Sequence, residues 1–206
     1  MDRTVRVKVC GLTRKTDIDF VNELKPDYVG FVFAPSKRQV KPKQARQMIL
    51  DLEPSIKKVG IFVDAPKEFV KDVSEECSLD ILQFHGNETN EYWQGLAKPV
   101  WKALRIRSKE DLALVNSLKN IDAILLDSPT AGSGKTFDWS VGSGLKSFHP
   151  LVLAGGLNAE NVTEAIAIFK PFAVDVSSGV ETDGLKDYIK IKQFIENVRR
   201  FCEYDD

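Results

Sequence analysis

An excess of charge of either sign is missing from this chain, whose 206 residues hold 29 Lys and Arg against 30 Asp and Glu. The formal net charge of -1 speaks against a nucleic-acid surface or a polybasic membrane patch. An anionic ligand would therefore have to be held by a local site. Histidine is scarce, with only His85 and His149, and the three cysteines Cys10, Cys77 and Cys202 form no CxxC or Cys/His spacing. This excludes the common zinc patterns, and widely spaced, odd-numbered thiols suit a reducing compartment better than a disulfide framework. Long hydrophobic runs are also lacking: none reaches the roughly 18 residues of a membrane helix. Residues 1–11 pass straight into strand-like alternation without the apolar core of a signal peptide. The expectation is a soluble, cytoplasmic protein with neither membrane nor nucleic acid as partner.

What is present is ordinary in amount and regular in order. The apolar share of 43% is enough for a sizeable core. Short runs rich in Val, Ile, Phe or Leu, each stopped by Gly, Pro, Asp or Asn, fall at 5–10, 28–33, 58–63, 81–85, 100–104, 123–127, 151–154 and 173–177. Helical stretches are expected between them. The last, 185–201, places Leu185, Tyr188, Ile189, Phe194, Ile195, Val198 and Phe201 near one face. Another is expected over 158–169 with Asn158 as N-cap, and a glycine-broken one around 138–146. Eight strand–helix units imply a parallel sheet, either doubly wound or closed. With no ninth unit and no composition break to mark a linker, a compact single-domain (β/α)8 TIM barrel over 1–206 is the favoured α/β architecture.

In such folds ligands sit at the carboxyl ends of the strands. Strand one ends in Cys10-Gly11, strand four in Gln83-Phe84-His85-Gly86, strand six in Asp127, strand seven in Gly155-Gly156 and strand eight in Ser177-Ser178-Gly179. Turn-forming needs account for the glycines, but not for Cys10, Gln83 and Asp127. Alternation on strand one turns Val5, Val7 and Val9 one way and Arg6, Lys8 and Cys10 the other. If the valines face the helices, Lys8 points into the barrel and needs a partner, and Asp175 on the neighbouring strand eight is the candidate. The two glycine-bearing loops after strands seven and eight, with Gly155, Gly156, Ser178 and Gly179, are where barrels most often hold a phosphate.

Three other patterns carry less. Residues 132–136 (Gly-Ser-Gly-Lys-Thr) look like the end of a P-loop, but Pro129 stands where its first glycine belongs. The segment reads better as a glycine loop, with Gly132 and Gly134, folding over a ligand. A Cys10–His85 nucleophile pair fails because strands one and four lie on opposite sides of a barrel. His149, before a proline, reads as solvated. Gln83 serves equally well as a ligand contact or as barrel filling.

Taken in order, several motifs resemble the phosphoribosylanthranilate isomerase family over essentially the whole chain. They are 8–13 (Lys-Val-Cys-Gly-Leu-Thr), 30–33 with 35–38 (Pro-Ser-Lys-Arg), 59–63, 83–86 (Gln-Phe-His-Gly), 126–127, 132–139, 153–158 (Leu-Ala-Gly-Gly-Leu-Asn) and 175–181 (Asp-Val-Ser-Ser-Gly-Val-Glu). Two departures are Ala131, where the family usually has a further glycine, and Phe84 in place of the commoner leucine. The resemblance implies an Amadori rearrangement of N-(5-phosphoribosyl)anthranilate in tryptophan biosynthesis, with Cys10 as general base and Asp127 as general acid. It assigns Arg38 to the anthranilate carboxylate, which a guanidinium grips with two parallel hydrogen bonds. No redox or group transfer occurs, so no cofactor and no metal is implied, and members occur as monomers or homodimers. A free thiol has a pKa of about 8.5, so Cys10 requires help, expected from the positive charge of Lys8. The competing readings are another sugar-phosphate barrel enzyme and a non-catalytic phosphometabolite-binding barrel. An epimerase would want metal-binding histidines, an indole-glycerol-phosphate synthase would want a longer N-terminal extension, and a mere binder needs neither Cys10 nor Asp127.

Overall fold

The computed structural model describes residues 4–128, 136, 139 and 145–204. Gly132, Gly134, Ala131 and most of the expected helical stretch 138–146 lie outside them. Eight parallel strands form a closed barrel in chain order: β1 (Arg6–Cys10), β2 (Tyr28–Val32), β3 (Lys57–Phe62), β4 (Ile81–Phe84), β5 (Val100–Arg105), β6 (Ala123–Asp127), β7 (Leu151–Leu153) and β8 (Ala173–Val176). Closure is made where β1 pairs with both β2 and β8. The connections carry α1 (Lys15–Leu24), α2 (Pro42–Leu50), α3 (Lys67–Glu76), α4 (Lys109–Ala113) and α5 (Val162–Phe169). After β8 come a short antiparallel hairpin, β9 (Glu181–Thr182) with β10 (Leu185–Lys186), and the closing α6 (Tyr188–Tyr204). Among the described residues no helix is long and apolar enough to cross a membrane.

Strand alternation divides the core in two. Val7 and Val9 join Ile18, Val21, Phe194 and Val198 in the layer between sheet and helices. Cys10, Tyr28, Val59, Ile61, Trp101 and Leu125 fill the barrel interior. This is the two-residue period of a strand acting on a closed sheet, where one face meets helices and the other meets itself.

Three local expectations change. No helix joins β4 to β5: the segment after Phe84 carries Gly95 and Pro99, and buried Trp93 pins it by stacking on Phe84 and donating its indole N–H to Lys119 O at 3.0 Å. Helix α5 itself begins at Val162, a turn later than expected, although the Asn158 carboxamide oxygen does accept from the N–H groups of Glu160 and Asn161 in the manner of a cap, opening the turn that leads into the helix. Leu185 belongs to β10, Ile189 is exposed, and Ile191 takes the buried position on α6. Helical phase from Tyr188 onward decides this, because the residues before it form the hairpin.

Candidate active site at the barrel mouth

The carboxyl ends of the strands surround a cavity of about 360 Å³, within the range of roughly 300–1,000 Å³ typical of small-molecule sites. Cys10, Arg38, Gln83, Asp127, Gly155 and Ser178 all line it, as do Gly156, His85, Arg105 and Asp175. Cys10 from β1 and Asp127 from β6 thus face one space from well-separated strands. Gly179 is not among the lining residues. A Cβ there would sit 1.9 Å from Leu157 O, so this glycine allows the β8 loop to rest directly on the β7 loop. Gly155, in the left-handed region at φ +81, has a comparable duty: a Cβ would approach Ser128 N to 2.4 Å and Asp127 Oδ1 to 3.0 Å. Its lack of a side chain makes room for the carboxyl group.

Lys8 is fully buried beneath Cys10, and its ammonium meets Asp175 Oδ2 at 2.8 Å, the partner that the strand register puts opposite it. Burial works against the Lys8 charge, yet Asp175 and then Cys10 outweigh it, and the pKa of Lys8 is raised. Burial likewise dominates at Cys10, whose thiol is pushed up despite Lys8 pulling the other way. The expected assistance from Lys8 exists, but its charge is shared with Asp175, and in the free protein the thiol keeps its proton more firmly than an ordinary cysteine. Asp175 Oδ1 and Gln83 Oε1 are buried acceptors that receive no hydrogen bond among the described residues.

Asp127 has a neighbour at each oxygen. Oδ1 accepts the N–H of Ser128 at 2.8 Å, and Oδ2 lies 3.1 Å from His85 Nε2. That separation is in ion-pair range, though the ring is not aligned for a hydrogen bond. The sequence reading missed this pairing, having weighed His85 only against Cys10. Alternation of Ile81, Gln83 and His85 turns His85 inward just as it does Lys8 and Cys10, but does not say which residue it meets. His149 also differs from expectation, being partly buried with Nε2 3.1 Å from Leu118 O.

Arg38 reaches the mouth from the loop after β2, where its Nε and Nη2 donate to the two oxygens of Glu181 at 2.6 and 2.8 Å. Lys186 braces the same carboxylate at 2.8 Å and donates to Ser177 O at 2.9 Å. The Ser177 hydroxyl in turn donates to Cys10 O at 2.9 Å. Arg38 and Lys186 hold the Glu181 carboxyl below its usual range against the opposing effect of burial, while burial pulls Lys186 down against Glu181.

A family model described as N-(5'-phosphoribosyl)anthranilate (PRA) isomerase matches residues 7–197. The chain belongs to this family. An N-(5'-phosphoribosyl)anthranilate isomerase of Thermoanaerobacter pseudethanolicus is 52% identical over 200 residues, covering 95% of this chain and 98% of that one. Among solved structures, phosphoribosyl anthranilate isomerase from Thermotoga maritima superposes with a TM-score of 0.89 at 42% identity, covering 95% and 99% of the two chains. A family structure in complex with reduced 1-(o-carboxyphenylamino)-1-deoxyribulose 5-phosphate gives a TM-score of 0.83 at 40% identity, covering 95% and 99%. Family membership accounts for the closed barrel and for the order of the motifs along it.

Proposed function

We propose that the barrel mouth converts N-(5-phosphoribosyl)anthranilate to 1-(2-carboxyphenylamino)-1-deoxyribulose 5-phosphate, with Asp127 as general acid and Cys10 as general base. The observation that carries the reading is the exposure of the Cys10 thiol and the Asp127 carboxyl, from β1 and β6, to a single cavity of about 360 Å³. In the first half of the reaction the proton of the Asp127 carboxyl passes to the ribose ring oxygen. The bond from that oxygen to C1 breaks, and the anthranilate nitrogen lone pair forms the C=N bond of an iminium. In the second half the Cys10 thiolate, its own proton released to solvent through the mouth, accepts the proton from C2, and the electrons of that C–H bond move toward the iminium to give the enolamine. Tautomerisation to the ketone completes an isomerisation in which no atom is gained or lost and no electron acceptor is needed.

The raised pKa of Cys10 sets a condition on this sequence. A buried thiol is a poor base while the site is neutral, but the iminium introduces positive charge beside it, and a nearby positive charge favours the thiolate. The order acid first, base second follows from the chemistry, because the C2 proton becomes acidic only once the iminium has formed. Gly155, Gly156 and Ser178 are the proposed phosphate cradle, with Gly179 letting its two loops meet, Gln83 a contact to the substrate's polar groups, and Arg38 the partner of the anthranilate carboxylate. Lys8 supports the base through its charge. Gly132 and Gly134 belong to the same proposal as contacts from the loop after β6.

The test is the loss of substrate fluorescence catalysed by wild type, Cys10→Ser and Asp127→Asn. Each substitution is expected to lower kcat by at least about a hundredfold. Turnover that survives both would point instead to a different chemistry in this barrel.

A further inference from the structure

Resting on that reading, we infer that Glu181 is the positioning residue that aims Arg38 at the substrate's aromatic carboxylate, and so sets the selectivity for a carboxylated ring. Arg38 comes from an irregular loop after β2, and a long side chain on a loop would ordinarily sample many rotamers. Here its head is held by a carboxylate. Its Nε and Nη2 donate to the two oxygens of Glu181 at 2.6 and 2.8 Å. Its stem passes directly over Gly11, where a Cβ would come within 2.5 Å of Arg38 Cδ. Gly11, at φ +82, also belongs to the turn immediately after Cys10. The missing side chain of Gly11 thus leaves room for the stem, and one carboxylate holds the head.

The bonding pattern leaves a specific edge open. The side of the guanidinium bearing Nε is occupied by Glu181, whereas Nη1 makes no hydrogen bond among the described residues, although Arg38 lines the cavity. A planar guanidinium holds five N–H donors in a rigid fork, so it can keep one carboxylate on its Nε edge and offer its end to a second. The charge balance permits this. Glu181 is approached by Lys186 at 2.8 Å and by Lys37 at 3.9 Å as well as by Arg38, so three cations surround one anion and the cluster retains a positive surplus. Glu181 itself is held within the hairpin, where it pairs in register with Lys186. The hairpin after β8 therefore has a purpose in the site: it carries the carboxylate that orients an arginine from the far side of β1.

This assignment predicts the opposite sign from a simple charge argument. If Glu181 merely competed for Arg38, removing its charge would free the arginine and tighten binding of a carboxylated ligand. If Glu181 aims Arg38, the same change weakens binding, since Arg38 and Lys186 are left to repel one another. The experiment measures calorimetric affinity for two ligands, reduced 1-(o-carboxyphenylamino)-1-deoxyribulose 5-phosphate and its counterpart lacking the ring carboxylate, in wild type and Glu181→Gln. The expected result is at least about a tenfold loss for the carboxylated ligand only, about what one charge-assisted hydrogen bond contributes, with a matching rise in KM and a smaller change in kcat. Glu181→Asp keeps the charge but withdraws it by one methylene, and a partial loss with the same selectivity is expected even if the Gln variant folds poorly. Equal losses for both ligands, or tighter binding of the carboxylated one, would overturn the role of Glu181. Wild type that binds the two ligands equally would overturn the assignment of Arg38, and the inference with it, while Cys10→Ser kinetics would still test the reaction itself.

Discussion

Replacing Lys8 by Met tests how the floor of the site is held. At 2.8 Å and an effective dielectric of about 20, the attraction between Lys8 and Asp175 comes to about 6 kcal/mol. Removing both ions from water costs several kcal/mol each, so the intact pair contributes little net stability. The single substitution is a different matter, because it leaves the Asp175 carboxylate buried with neither oxygen satisfied, Oδ1 already lacking a donor. The expected destabilisation is about 3–5 kcal/mol, or a fall in Tm of roughly 6–20 °C for a domain of this size. The double variant Lys8→Met/Asp175→Leu should recover most of that loss, since no charge remains to be buried. The pH dependence has a definite sign. The Lys8 pKa is raised, so its stabilising contribution is complete below about pH 10.4 and is lost as pH rises through the folded-state value. In wild type that loss should appear in alkaline unfolding and be absent from the variant. Burial raises the Asp175 carboxyl even beside Lys8, and without the ammonium it rises further. The deficit of Lys8→Met should therefore narrow on going from about pH 8 to about pH 5, as the stranded carboxylate takes up a proton. Urea unfolding at the two pH values measures this. A penalty below about 1 kcal/mol, or a double variant as unstable as the sum of its parts, would refute the reasoning.

Two further outcomes follow from contacts around the reacting groups. His85→Asn removes the imidazole that faces Asp127 Oδ2 at 3.1 Å; kcat should fall by about tenfold or more with KM little changed, and steady-state kinetics that leave kcat intact would show that the imidazole plays no part in placing the acid. Gly30→Ala would set a Cβ 2.7 Å from Cys10 Sγ and 3.2 Å from Cys10 Cα, so the thiol must move; kcat should drop by at least about tenfold while affinity for the reduced product analogue is largely kept, and a full rate in the alanine variant would mean that the thiol position is not critical.

Much of this protein is written in local pattern. Two-residue alternation in β1 was enough to turn Lys8 and Cys10 inward and to name Asp175 as the lysine's partner, because strand periodicity is a backbone property that tertiary context does not alter. The spacing of the strands and the polar residues at their ends likewise led from sequence to a barrel mouth carrying Cys10, Gln83 and Asp127. Family motifs added Arg38, which no periodicity could distinguish from any exposed loop arginine. What the sequence could not convey are contacts between side chains that no repeat relates: His85 against Asp127 across β4 and β6, and Glu181 across Arg38, 143 positions away along the chain. The same holds for the balance at Cys10, where the sign of the shift depends on how burial compares with a shared charge. Burial is a sum over every atom packed around the group, and it exists only once the barrel has closed.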